Sequence, residues 1–368
     1  MILEALLWAS VGYYLAALVA AWRFGRPEPA QRWTPPVSVL KPLRGADREL
    51  YACLRSFGAQ DYPEFELLFA ARDAADPAIA EVRRLAAEFP GRRIEVFVTG
   101  EEFGPNDKVN GLERLRREAR YDVLVVSDSD IRVGPDYLSR VVAPLADPGV
   151  GLVTCPYRAA PGGGLPSLLE TLWVSTDFQV SVLVARLLGI QFALGATMAL
   201  RRQDLERIGG FAPLAGFLAD DFWLGQKIYR LGRRIVLSDC AVETVLPADG
   251  WRESWRHRVR WGRTLRVCRT AGYAGVVITF AVPLSAAALV LAPALWKLAA
   301  VAVAVRLAAG LWVGGGLLGD RLALRWSWLI PVADVLSFGV WAASLIGRQV
   351  IWRGERFRLH GDGRILPA

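Results

Sequence analysis

The chain has 368 residues, 53% of them hydrophobic, with 44 Lys plus Arg against 36 Asp plus Glu for a formal net charge of +8. So apolar a composition excludes a purely soluble enzyme, and the length leaves room for a folded domain beside membrane segments. Cys53, Cys155, Cys240 and Cys268 are widely spaced with no C-x-x-C, and His257 and His360 are the only histidines, which argues against a disulfide framework or a zinc site.

Residues 1–22 form an apolar run long enough to cross a bilayer, with Glu4 its one charge and Arg23 and Arg26 directly after it. An uncleaved anchor over residues 1–24 is expected, because a signal peptide wants a basic segment where this chain has Glu4. The arginines put the domain beyond them on the cytoplasmic side.

From residue 32 to 248 short aliphatic runs alternate with amphipathic ones. The pattern predicts strands over residues 37–40, 65–70, 93–98, 123–127 and 151–155, and helices over 49–57, 77–88, 108–119 and 136–145. The fold class is therefore α/β, with a mostly parallel sheet covered on both faces and ligands at the carboxyl ends of its strands.

At the end of the fourth strand the stretch "SDSDIRV" carries Asp128 and Asp130. In an extended segment alternate side chains point the same way, so the two carboxylates converge on one ligand. Magnesium or manganese held by one or two carboxylates plus substrate phosphates suits them. The other reading is that these residues cap the turn into the next helix, with Pro135 at its first position.

Asp73 follows the second strand in "FAARDAADP", and "GFLADDFWLGQKIYRLG" opens a helix with Asp220 and Asp221. Between them residues 165–189 are unusually apolar, and either line a lipid entrance or form a buried core helix. Residues 249–270 then place seven arginines and three tryptophans in "WRESWRHRVRWGRTLRVCR". This reads as an interfacial amphipathic helix, with Trp251, Trp255 and Val259 on one face and Arg260 and Trp261 turned towards the site.

In residues 271–352 hydrophobicity returns in three blocks, 273–296, 298–318 and 328–346, followed by a basic tail over 353–368. Three full crossings would put that tail outside, against the positive-inside rule, so one block is expected to be re-entrant or interfacial. The net positive charge suits anionic headgroups and substrate phosphates, and no nucleic acid partner is expected.

The stretches "VSVLKPLRG", "ARDAADPAI", "NDKVNGL", "SDSDIRV", "LADDFWLGQKI" and "HRVRWGRTLR" resemble, in order and spacing, those of the ceramide glucosyltransferase family. The resemblance runs from Val37 to Arg266. "SDSDIRV" and "GATMALRR" are similar to the bacterial branch, which includes hopanoid-biosynthesis-associated glycosyltransferases and points to the bacterial inner membrane. The family implies a GT-A fold and inverting transfer of glucose or N-acetylglucosamine from a UDP-sugar to a membrane lipid acceptor, a ceramide or a hopanoid polyol.

Carried over by position, the resemblance implies that Asp73 contacts the uridine and that Lys108 lies near the nucleotide or its phosphates. Asp128 and Asp130 would hold Mg2+ or Mn2+ and the diphosphate, and Asp221 would be the general base. Arg260 and Trp261 complete a (Gln/Arg)-x-x-Arg-Trp signature that binds diphosphate and shapes the acceptor opening. His257 departs from that signature, which puts its nucleotide contact in doubt, and Asp130 replaces a Gly of the animal enzymes. Two rivals stand: a processive polysaccharide synthase, for which the spans are few, and a non-catalytic nucleotide-sugar-binding membrane protein.

Overall fold

The computed structural model describes residues 1–26, 33–247, 250–352 and 354–368. The expected boundary residues 32, 248, 249 and 353 lie outside the described residues. In chain order, α1 (Ile2–Phe24) leads to β1 (Val37–Pro42), α2 (Leu50–Gly58), β2 (Phe65–Ala71), α3 (Ala78–Glu88), β3 (Ile94–Val98), α4 (Asp107–Glu118) and β4 (Val123–Val126). Next come β5 (Ile131–Arg132), α5 (Tyr137–Val142), β6 (Val150–Thr154), β7 (Tyr157–Ala160), α6 (Gly164–Trp173), α7 (Gln179–Leu187) and β8 (Met198–Arg201). They are followed by α8 (Arg202–Arg207), α9 (Asp220–Arg230), β9 (Arg234–Leu237), β10 (Val242–Val245) and α10 (Trp251–Cys268). The chain continues with α11 (Thr270–Gly275), α12 (Ala281–Leu291), α13 (Trp296–Leu311), α14 (Arg321–Arg325), α15 (Ile330–Ser344), β11 (Gln349–Trp352), β12 (Glu355–Leu359) and β13 (Ile365–Pro367).

Seven strands form the central sheet in the order β3-β2-β1-β4-β8-β6-β9. Every pairing is parallel except those of β8, which runs against both β4 and β6. β1, β2, β4 and β6 are buried along their whole length, as unbroken aliphatic strands must be when both faces are covered. Leu54 and Phe57 of α2, Leu85 of α3 and Tyr137 of α5 fill one side; Leu112 of α4 and Leu224 and Ile228 of α9 fill the other.

All five predicted strands and four predicted helices form, with ends shifted by one or two residues; α5 is prolonged by a 3-10 turn over Ala143–Ala146. The sequence pattern misses β5, β7 and β10, which make a second sheet, and β11 to β13, which make a third where a bare basic tail was expected. Pro135 precedes α5 instead of opening it, and the Asp136 side chain at the cap accepts no backbone N–H of the helix.

Among the described residues four helical segments are long and apolar enough to cross a membrane: Ile2–Phe24, Gly164–Leu187, Pro293–Leu317 and Ser327–Ser344. The stretch from Gly272 to Leu291 also passes, but as two pieces bent by 66°. Gly164–Leu187 has both its flanking strands in the α/β domain, and 67% of its apolar window is buried. It is thus chiefly a packing element, with Val180, Leu183 and Val184 against Leu7, Val11 and Tyr14 of α1.

The helices are locked by one buried ion pair. Arg306 of α13 binds Asp334 of α15 in a forked arrangement, Nε to Oδ2 at 3.0 Å and Nη2 to Oδ1 at 2.6 Å, with 0% and 3% of the two residues exposed. A π-turn, Val174–Phe178, joins α6 to α7 and leaves the Thr176 carbonyl open to accept Arg306 Nη1 at 2.8 Å. The guanidinium also lies 5.5 Å from the Tyr14 ring, so four segments meet on one cation.

The ends of the last two apolar blocks are tied to the α/β side. Arg158 of β7 donates to the Leu318 carbonyl at 2.9 Å, and Arg266 of α10 donates to the carbonyls of Leu345 and Gly347. The final sheet packs there too: Ile365 N donates to Gly216 O at 2.8 Å, and Arg72 Nη1 meets Glu355 Oε1 at 3.3 Å.

Removing one member of the Arg306–Asp334 pair leaves a buried charge alone. Arg306→Leu is expected to destabilise the protein by about 3–5 kcal/mol, and Arg306→Leu with Asp334→Leu to recover most of the loss. Thermal unfolding in detergent measures both, and equal losses in the single and double variants would contradict the pairing argument.

Candidate active site

β4 lies at the middle of the sheet and ends at Val126, so Ser127, Asp128, Ser129 and Asp130 emerge at its carboxyl end. The segment does not stay extended as expected. It turns, with Ile131 N donating to Asp128 O at 3.4 Å, and the turn rather than strand alternation brings the carboxylates together. Asp130 is pinned to β10, because Thr244 Oγ1 donates to its Oδ2 at 3.1 Å and Val245 N to its carbonyl at 2.9 Å. Neither aspartate caps α5.

Beneath the turn lies Lys41, the last charged residue of β1 and fully buried. Its Nζ donates to Asp128 O at 2.7 Å and Ser127 Oγ at 3.3 Å, and sits 3.6 Å from the centre of the Phe57 ring. Burial draws this amine down to about 7. A lysine inside the otherwise apolar "VSVLKP" was the available signal for it, since a central strand accepts such a residue only with partners.

Lys108, in the first turn of α4, is the cation of the site. Its Nζ lies 2.7 Å from Asp128 Oδ1 and 3.4 Å from Asp220 Oδ2, and only 8% of its side chain is exposed. Burial alone would strip its proton, but Asp128, then Asp220 and Asp221, outweigh burial and keep it charged. Asn106 caps α4, its Oδ1 accepting from Val109 N at 3.3 Å, which fixes where Lys108 points.

Asp220 and Asp221 open α9 next to this lysine. Gly195 shows how near Asp221 is to Asp128: a Cβ placed on Gly195 would stand 3.1 Å from Asp221 Oδ2 and 3.5 Å from Asp128 Oδ2. Without a side chain at Gly195, both carboxylate oxygens come close to the same stretch of backbone. The surrounding protein, and next Asp220, push Asp221 up to about 6 although Lys108 opposes them. Burial, and next Asp128, push Asp130 up to about 6 as well. Tyr157 of β7 faces the same group: burial chiefly, then Asp221, Asp128 and Asp130, raise its phenol well above the ordinary value.

Asp128 and Asp130 are hard oxygen donors, partly open to solvent. Among the described residues no group of three or more His, Cys, Asp or Glu is arranged to hold a metal. Two carboxylates fit a magnesium or manganese ion that is completed by water and phosphate oxygens, and do not fit an ion caged wholly by protein.

Asp73 follows β2 on the same edge of the sheet, but it is exposed, and its Oδ1 accepts from Ala75 N at 2.9 Å. No contact joins it to the Asp128 group. Trp261 of α10 meets Trp173 at 5.7 Å, Phe178 at 5.8 Å and His257 at 5.3 Å between ring centres, and Phe178 meets Tyr157 at 5.6 Å. This aromatic wall runs from the carboxylates to the apolar helices. Sequence reading places Trp261 towards the site but misses Trp173, Phe178 and Tyr157, which come from segments far apart in the chain.

His257, expected beside the nucleotide, binds Glu170, Nδ1 to Oε1 at 2.6 Å, while Ser254 Oγ donates to Oε2 of the same carboxylate at 2.7 Å. Arg260 is half-buried one residue before Trp261. Trp251 and Trp255 are exposed, and Val259 is buried.

A mostly parallel α/β sheet with an acidic turn at the end of its central strand is the arrangement of the GT-A class of glycosyltransferase, joined here to apolar helices on both sides of it in the chain. A mannosyltransferase structure from Pyrobaculum calidifontis has the same fold, with a TM-score of 0.50 at 24% identity over 92% of this chain and 98% of that one. The sequence profile of glycosyl transferase family 21 matches residues 2–365, and the chain belongs to that family. It is 31% identical to ceramide glucosyltransferase 1 of Caenorhabditis elegans over 205 residues, 55% of this chain and 44% of the relative. A ceramide glucosyltransferase of Komagataella phaffii is 34% identical over 110 residues, 29% of this chain and 22% of that protein. The chain thus aligns with under half the length of these relatives.

Lys108→Met leaves Asp128, Asp220 and Asp221 without their shared cation. With its opposing charge gone, Asp221 is pushed up further in the folded state, the native form holds more protons than the unfolded one, and stability falls as pH rises. The variant is expected to melt lower than the parent, with a larger gap at pH 8 than at pH 5; a gap independent of pH would contradict this.

Proposed function

We propose that this protein transfers a single sugar from a UDP-sugar to the hydroxyl of a membrane lipid, with inversion at the anomeric carbon. The observation that carries the reading is the convergence of Asp221 Oδ2 and Asp128 Oδ2 beside Gly195. One carboxylate belongs to the strand end where nucleotides bind in such sheets, and the other can reach an acceptor. The named relatives, ceramide glucosyltransferases, support a lipid acceptor and a glucose-type donor.

In the proposed step an acceptor oxygen attacks the anomeric carbon, its proton passes to Asp221, and the bond from that carbon to the diphosphate oxygen breaks, releasing UDP. General-base help of this kind is worth about 10²- to 10⁴-fold. Asp128 and Asp130 would hold Mg2+ or Mn2+, which supplies charge to the departing diphosphate. Lys108, already charged among carboxylates, adds positive potential on the same side. Asp73 is assigned to the uridine and Arg260 to the diphosphate. His257, bound to Glu170, is assigned to the positioning of α10.

The wall of Trp173, Phe178 and Trp261 is proposed as the acceptor approach, with the lipid tail remaining among the apolar helices. The α/β domain is placed on the cytoplasmic face of a bacterial inner membrane. Its tail sheet lies beside that domain, so residues 270–348 cross an even number of times: the bent stretch goes out, α13 returns, and the α15 block stays on the near side. Gly25 at the end of α1 and Leu317 just past α13 are neighbours, a Cβ on the glycine lying 3.1 Å from the leucine side chain, which agrees with that path.

Purified full-length chain with UDP-sugar, divalent cation and lipid acceptor tests the assignment. Asp221→Asn is expected to lower kcat roughly 10²- to 10⁴-fold while donor affinity changes little; unchanged turnover would remove Asp221 as the base. Because Asp221 must be ionised, the rate is expected to climb with pH through about 6 and level off above it. At limiting cation the acid limb steepens, since Asp130 also protonates near 6. EDTA is expected to abolish turnover and Mg2+ or Mn2+ to restore it; Asp130→Asn raises the cation concentration needed.

A further inference from the structure

A cavity of about 500 Å³ lies away from the carboxylates, between the last turn of α1, the end of α7 and β9. Ala20, Phe24, Leu183, Leu187 and Leu237 give it an apolar wall; Arg23, Arg186 and Arg234 are its charged lining, and among the described residues no acidic side chain lines it. β9 is the end strand of the central sheet. Its free edge is covered by side chains: Ile235 N donates to Gln191 Oε1 at 3.0 Å, and Arg186 Nη2 donates to Ile235 O.

Among the described residues the charges of Arg23 and Arg186 have no acidic partner. Arg186 is half-buried, and its partners are neutral oxygens, Ile235 O, Ile190 O at 3.4 Å and Gln191 Oε1 at 3.3 Å. Arg23 makes no ion pair among the described residues, whereas Arg234 is paired with Asp147. A half-buried guanidinium without a counter-anion is a standing electrostatic cost that a bound anion relieves. Capping the edge of β9 accounts for one Arg186 nitrogen and leaves Arg23 and the apolar wall without a role.

We propose that this cavity binds the phosphate of an anionic phospholipid headgroup. Arg23 and Arg186 take the phosphate oxygens, and the upper acyl segments lie on Leu183, Leu187 and Phe24. The position supports a lipid over free phosphate: the cavity opens at the last turn of the first apolar helix, where a span gives way to headgroups, and half of its wall is of no use to an inorganic ion. The site is independent of the sugar-transfer chemistry.

Native mass spectrometry of the full chain in neutral detergent tests this, with phosphatidylglycerol, phosphatidylcholine and inorganic phosphate in separate arms. Phosphatidylglycerol is expected to be retained roughly tenfold more tightly than phosphatidylcholine. Arg23→Gln with Arg186→Gln is expected to erase that preference. Arg186 holds a strand edge, so Arg23→Glu, at an exposed position, is the companion variant, expected to weaken retention of phosphatidylglycerol roughly fivefold with the melting temperature unchanged. Equal retention of the two lipids, an unaffected Arg23→Glu, or displacement of phosphatidylglycerol by an equal concentration of inorganic phosphate would each overturn the proposal.

Discussion

One ammonium group organises the interior of this protein: Lys108, held between Asp128 at the end of β4 and Asp220 at the start of α9. Two stretches far apart in the chain are drawn to it, and each carboxylate would repel the others in its absence. The arrangement tolerates so much negative charge in a small volume because a buried cation is stronger there than in water. It also leaves one oxygen of Asp128 and one of Asp221 directed at Gly195.

A second cation does the same for the helices. Arg306 takes a carboxylate from α15, a carbonyl released by the turn between α6 and α7, and the face of Tyr14. Since Trp173 and Phe178 flank that turn, the packing of the apolar helices and the aromatic wall beside Trp261 are set by the same residues. The membrane part and the α/β part are therefore one structure.

Much of this was legible from local pattern. β1, β2, β4 and β6 announce themselves as aliphatic runs because both of their faces are covered, and α2 to α4 by their spacing. The acidic turn is visible because two aspartates directly after such a run have few structural reasons to be there. β5 and β10 are not visible: they are two and four residues long and exist only through each other and β7. Lys41 escapes because its partners are backbone and hydroxyl oxygens from another strand, and the role given to His257 fails to foresee Glu170, which comes from a helix 87 residues earlier. Pairings between distant segments carry no periodicity.

The tail sheet has a bearing on how the molecule matures. Residues 355–367 brace Gly216 and Phe217, on the loop that enters α9, and Glu355 reaches Arg72 beside the second strand. A ribosome-bound chain that has already made its α/β portion still lacks this brace, which is synthesised only after the apolar helices. The loop that enters α9 is thereby braced only after those helices have emerged, so the α/β portion and the apolar helices reach their final form together.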